Sequence, residues 1–250
     1  MPPDQMNAAA QTFRNRVLND LLPTYCNDPS RLWDVAGFKQ DWDKIGEIDA
    51  ADFLRGVDGE LVKHEGRGLY RAPRSTAREQ FFWPGVKKKT PRPITLWVEP
   101  IITVAVLARL HFDLGWPKEL IGTQSKDWAF DVTTYLSTDS KVEHIACEVK
   151  KSVAEINQLV GHMIQFGRIL NIDQTIAYKG KELNAFRKLQ ALRSRRPPLF
   201  WAAGPAGIGH AFSMGYPREG IVSFQEIAIQ ELDYERRRLG SASSTRCVAD

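Results

Sequence analysis

Apolar residues first recur at helical spacing near the start of the chain. Phe13, Val17, Leu18, Leu21 and Leu22 fall on one face, so residues 8–22 are predicted as a helix that ends at Pro23. Residues 28–60 read as short helical pieces carrying Trp33, Phe38, Trp42 and Phe53, and ELVKHEGRGLYRAPRS reads as a hairpin with Gly66 and Gly68 near its turn. From residue 94, ITLWVEPIITVAVLARLHFDLGW is apolar around most of a helical circumference and predicts one buried helix, with Pro100 tolerated in its first turn. The period then changes. WAFDVTTYL and VEHIACEVKKS read as strands, SVAEINQLVGHMIQFGRIL and KELNAFRKLQALRSRR as helices, and PPLFWAAGPAG and HAFSMGYPREGIVSFQEI as later strands. The stretch after Leu239, GSASSTRCVAD, is expected to be disordered.

This order of elements predicts an α/β protein, a mixed sheet with helices packed on its faces. PGVKKKTPRP, residues 84–93, has three prolines and a charge run and is the best boundary. The expected division is a mainly helical region over 1–83, a main domain over 94–239 and a tail over 240–250. Helices followed by a basic hairpin suit either a winged-helix-like module or a helical subdomain with no nucleic-acid role.

Composition changes this picture little. The 250 residues are 43% hydrophobic and 26% charged, with a net charge of only +4, so any affinity for polyanions rests on local clusters. Such clusters occur at Lys87, Lys88 and Lys89, at Arg193, Arg195 and Arg196, and at Arg236, Arg237 and Arg238. Three distant cysteines form no CxxC or Cys/His ligand spacing, which argues against a structural zinc and fits a reducing compartment. There is no signal-peptide pattern and no apolar window long enough to span a bilayer, so a cytoplasmic protein without a membrane partner is expected. The five histidines form no HxxxH or HxH pair, and neither a Walker A loop nor a G-x-S-x-G elbow is present.

The chemistry lies in residues 130–152. Asp131 interrupts one apolar strand, Glu148 the next, and Lys150 follows on the same face as Glu148. An antiparallel pairing about a turn at Asp139-Ser140 sets Asp131 directly across from Glu148. Two carboxylates that close repel each other unless one is protonated or a cation lies between them. Hard oxygen donors select Mg²⁺ or Mn²⁺, and a neighbouring lysine can orient or deprotonate a metal-bound water. The plainer reading is an exposed ion pair of Glu148 and Lys150 on an edge strand.

Asp131 followed by Glu148-Val149-Lys150 resembles the D…(D/E)xK motif of the PD-(D/E)xK nuclease superfamily, the restriction-endonuclease-like fold. The resemblance covers about residues 94–230 and leaves the N-terminal third unexplained. It implies that Asp131, Glu148 and the Val149 carbonyl bind Mg²⁺, with Mn²⁺ able to substitute, and that Lys150 positions or activates the attacking water. It further implies that Glu99 adds a helix-borne carboxylate and that Gln158 faces the site. Glu99 in a first helical turn also suits the macrodipole without chemistry, and Gln158 also suits a polar helix face. Phe130 stands where the family name has proline, and His162 where glutamine-bearing members tend to have tyrosine. The implied activity is a Mg²⁺-dependent endonuclease of restriction or defence type acting on duplex DNA as a homodimer. The alternatives are an inactive binding module of the same fold and a nuclease for ends, branches or RNA. Arg67, Arg71, Arg74 and Arg78, with Lys87, Lys88 and Lys89, are the candidate DNA contacts.

Overall fold

The computed structural model describes residues 3–28, 30–31, 33–170 and 178–244. The first helix, α1 (Pro3–Arg16), passes through a π-type turn into α2 (Leu22–Cys26). Pro23 does not end it. It falls just after the π-type turn, whose wider hydrogen-bond spacing lets the helical path run on past it to Cys26. After it come β1 (Phe38–Lys39), α3 (Glu47–Asp58), β2 (Lys63–His64), β3 (Leu69–Arg71) and β4 (Glu79–Gln80). The predicted basic hairpin is the β2–β3 pair, and β4 joins it as a third antiparallel strand.

The predicted helix over 94–116 is shorter than its sequence pattern suggests. Ile94–Leu96 is a strand, β6, antiparallel to β5 (Phe82–Pro84) and parallel to β1. Only then does α4 (Val98–Ala108) begin, with a π-type turn, Arg109–Asp113, at its end. Residues 84–93 are therefore the connection of a hairpin. A Cβ on Gly37 would lie 2.0 Å from the Arg92 carbonyl oxygen, so glycine is what lets this connection close against the β1 side.

The main sheet has six strands among the described residues: β7 (Ile121–Thr123), β8 (Val132–Thr134), β9 (Ile145–Val149), β10 (Leu199–Ala203), β11 (Gly209–Gly215) and β12 (Ser223–Ile227). They lie side by side in chain order. All pairs are antiparallel except β9 and β10, which run parallel because α5 (Val153–Gly167) and α6 (Gly180–Arg195) cross between them. The sheet is mixed, as expected. Strand β7 is too short to show a period, and its outer edge is covered by residues 74–76, where the Arg74 and Thr76 N–H groups donate to the carbonyls of Ile121 and Gln124. A last helix, α7 (Tyr234–Ser244), runs on into the expected tail and makes residues 240–244 helical; residues 245–250 lie outside the described chain. Among the described residues no helix is long and apolar enough to cross a membrane.

Alternation along the strands divides the interior in two. Cys147, Val149, Leu199, Trp201 and Ala203 face one core, shared with α1 through α4. Ala146, Phe200 and Ala202 face the other, beneath α5 and α6. The first core contains Phe13, Tyr25, Phe53 and Phe81 together with Ile101, Val132 and Trp201, so it runs across the expected boundary. A buried ionic brace reinforces the junction. Arg109 donates to Asp49 Oδ1 at 2.6 Å and to Asp52 Oδ2 at 2.8 Å, while Asp49 also accepts the Ala206 N–H at 2.9 Å. Helix α3, the end of α4 and the β10–β11 connection are thereby tied together.

Candidate active site

The register of β8 and β9 is the one the sequence suggested. Val132 faces Cys147, Thr133 faces Ala146 and Thr134 faces Ile145. One step further along the same register sets Asp131 opposite Glu148, although the ladder ends at Val132 and the connection spans residues 135–144 in place of a two-residue turn. Asp131 Oδ2 accepts the Val149 N–H at 2.8 Å, which locks the carboxylate against the strand that carries Glu148.

Glu148 lies on the face of β9 covered by α5 and α6, and only 2% of it is exposed. Its two oxygens have separate partners. Lys150 Nζ donates to Oε1 at 2.6 Å and to the Val149 carbonyl at 3.0 Å. Lys188, from α6, pairs with Oε2 and is itself held by the Ala129 carbonyl at 2.6 Å, with its ammonium 5.6 Å from the Phe130 ring centre. The plainer alternative, an exposed ion pair on an edge strand, is thus excluded: β9 is an interior strand and Glu148 is buried.

Glu99 sits in the first turn of α4 and, with Lys150, Glu155, Gln158, Leu159, Lys181 and Asn184, lines a cavity of about 310 Å³. Gln158 therefore faces this cavity, where its Oε1 accepts from Lys181 Nζ at 2.7 Å. Helix α5 is aimed by its N-cap: Ser152 Oγ accepts the Glu155 N–H at 3.3 Å. The Glu155 side chain lines this cavity, with its Oε2 buried. Sequence reasoning passed over Glu155, although Ser152-Val-Ala-Glu155 is a capping-box pattern.

The electrostatics favour protonated forms. Burial, followed by the charge of Asp131, raises Glu148 to about 7 against the pull of Lys188 and Lys150. Burial alone would lower Lys150, but Glu148, Asp131 and Glu99 outweigh it and hold the ammonium charged. Glu99 is raised by burial and by Asp131 and Glu155, with Lys150 and Lys151 opposing. A further carboxylate belongs to this field. Glu79 on β4 is buried, and burial together with Asp131 raises it to about 7, while Gln124 Nε2 donates to it at 3.3 Å.

The cluster crowds Asp131, Glu148, Glu99, Glu79 and Glu155 within one another's field. Among the described residues Asp131 Oδ1 and the Glu99 carboxylate accept no hydrogen bond, and all the donors are hard oxygens, which suits a Mg²⁺-class cation. No three acidic, histidine or cysteine side chains converge on one point among the described residues, and both Glu148 oxygens carry ammonium partners. A cation would therefore compete with Lys150 for Glu148.

The candidate DNA contacts fall into two sets. Arg71 and Arg78 both pair with Glu65, at 3.3 and 2.8 Å, and Arg67 reaches Asp28 at 3.7 Å. Arg74 serves the fold: it donates to the carbonyls of Thr138 and Ser140 and lies 4.1 Å from the Tyr135 ring centre. Lys87, Lys88 and Lys89 stand exposed in the β5–β6 connection without an ion-pair partner among the described residues. Comparison with known protein families, with curated proteins and with solved structures gives no match to this chain.

Proposed function

We propose that the protein is a divalent-metal-dependent nuclease that hydrolyses DNA phosphodiester bonds, a cytoplasmic enzyme of restriction or defence type. The observation that carries this reading is the meeting of Asp131, Glu148 and Lys150 across the β8–β9 register, beside a cavity lined by Glu99 and Gln158. Asp131, Glu148 and the Val149 carbonyl would hold Mg²⁺, or Mn²⁺ in its place, with Glu99 reaching the ion through water. The ion supplies charge neutralisation at the phosphoryl oxygens and eases deprotonation of water. Lys150 keeps its proton and orients the attacking water, since its carboxylate neighbours hold it in the ammonium form. Lys188 neutralises Glu148 from behind and fixes its rotamer. Were both strands of a duplex cut at one locus, two such sites and hence a second copy would be needed.

Lys188 also favours a second reading, a nucleic-acid-binding module that does not cleave, because its charge already satisfies Glu148 Oε2. Incubation of the purified protein with plasmid, linear and single-stranded DNA in Mg²⁺, Mn²⁺ or EDTA decides between them. Metal-dependent cleavage that falls by more than about 100-fold in both Asp131→Asn and Glu148→Gln supports the nuclease, since outer-shell changes typically cost 10–100-fold. Wild-type cleavage by either variant sinks it.

A further inference from the structure

The cavity at Lys150 does not stand alone. At Glu99 it adjoins a hollow of about 520 Å³ lined by Trp83, Trp97, Lys44 and Lys151. At Asn184 it adjoins a trough of about 690 Å³ along α6, lined by Trp128, Arg187, Gln190 and Ser194. Each neighbour presents an indole to solvent. Trp83 is 55% exposed and packs edge-on against Trp97, with ring centres 5.3 Å apart; Trp128 is 71% exposed. Arg187 is exposed and has no ion-pair partner among the described residues.

Trp128 is held outward at a cost to the backbone. It and Asp127 both have φ of +58°, a left-handed conformation that is unusual for any bulky side chain. Strain of this kind persists only where the surroundings fix it, and here they do. The Ser125 and Phe130 backbones close on each other at 2.8 Å, Trp128 N–H donates to the Ser125 carbonyl at 3.0 Å, and Arg195 grips Ser125 Oγ at 2.9 Å and Asp127 at 3.5 Å. Glycine or asparagine would adopt this turn more easily. The turn also leads directly into Asp131.

We propose that the three cavities form one track for a single-stranded nucleic acid segment. Unpaired bases stack on Trp128 on one side of the cavity and on Trp83 on the other, with the backbone passing Lys151, Lys181 and Arg187. Exposed aromatic faces interleaved with cations are the means by which proteins hold single strands with little regard to sequence. Bases inside a duplex are stacked on their neighbours and closed to an indole, so the occupant has unpaired bases. The central part of the track rests on the nuclease reading; the flanks do not.

The test is fluorescence anisotropy with labelled oligothymidylate and a duplex of equal length, in EDTA at low salt, so that binding is read without cleavage. The single strand should bind more tightly than the duplex. Trp128→Ala and Trp83→Ala should each weaken single-strand binding roughly 5- to 150-fold, the range for loss of one stacked base, and Trp128→Phe should restore most of it. An oligouridylate arm separates DNA from RNA as the source of the strand, and stacking-dependent binding of either sugar supports the track. Duplex binding as tight as single-strand binding, or unchanged affinity in both alanine variants, overturns it. Stacking-dependent binding by a protein that cuts nothing in Mg²⁺ would keep the track and remove the nuclease. Cleavage lost in Asp131→Asn with indole-independent binding would do the reverse.

Discussion

Lys188 shows how a residue acquires a role that its own sequence neighbourhood hides. In KELNAFRKLQ it resembles any solvated helix lysine, and only the crossing of α6 over β9 turns it toward Glu148. Glu79 is a similar case. It sits among arginines in the sequence, yet β4 buries it within the field of Asp131 and raises it to about 7. A carboxyl raised in the folded state favours folding most at pH below its unfolded value near 4.3, and that contribution disappears as pH rises through about 7. Glu79→Gln, which cannot ionise, should therefore match wild type near pH 4 and exceed it above pH 7, by up to about 3 kcal/mol. Urea unfolding at the two pH values reads this; an equal effect at both would assign the change to hydrogen bonding and not to charge.

Among the elements, the strands that carry chemistry were the most legible. Asp131 and Glu148 break apolar runs whose alternation fixes the register, because a one-residue slip would turn Cys147 and Val149 out of the core. Helices α5 and α6 were legible from their periods. What escaped was short or set by distant partners: β7, β6 at the head of an apolar stretch that looks helical throughout, and the buried side of Arg74. This arginine spans from the segment after β3 to the connection between β8 and β9. Arg74→Ala should cost about 2 kcal/mol, the loss of charged hydrogen bonds that are partly exposed, and should lower hydrogen-exchange protection across residues 135–144. Unchanged protection with weakened DNA binding would return Arg74 to the phosphate-contact role its sequence context suggests.

At the scale of the molecule, cohesion depends on the buried brace of Arg109 with Asp49 and Asp52. Removing Arg109 leaves Asp49 buried without its ionic partner, which typically costs about 3–5 kcal/mol. Arg109→Ala should therefore destabilise the whole chain by about that much and lower a single cooperative unfolding transition. Two separate transitions, with only the first 83 residues affected, would restore the division expected from the prolines and lysines of residues 84–93. The interior that runs from Phe13 to Leu232 has a consequence for how such a protein can diversify. Its N-terminal part cannot be exchanged like a cassette, since any graft would have to reproduce the buried faces of Phe53, Phe81 and Asp49 to seat itself. New specificity would instead arise at the rim, by lengthening or recharging the loop between Pro84 and Ile94, where added residues cost little closure entropy.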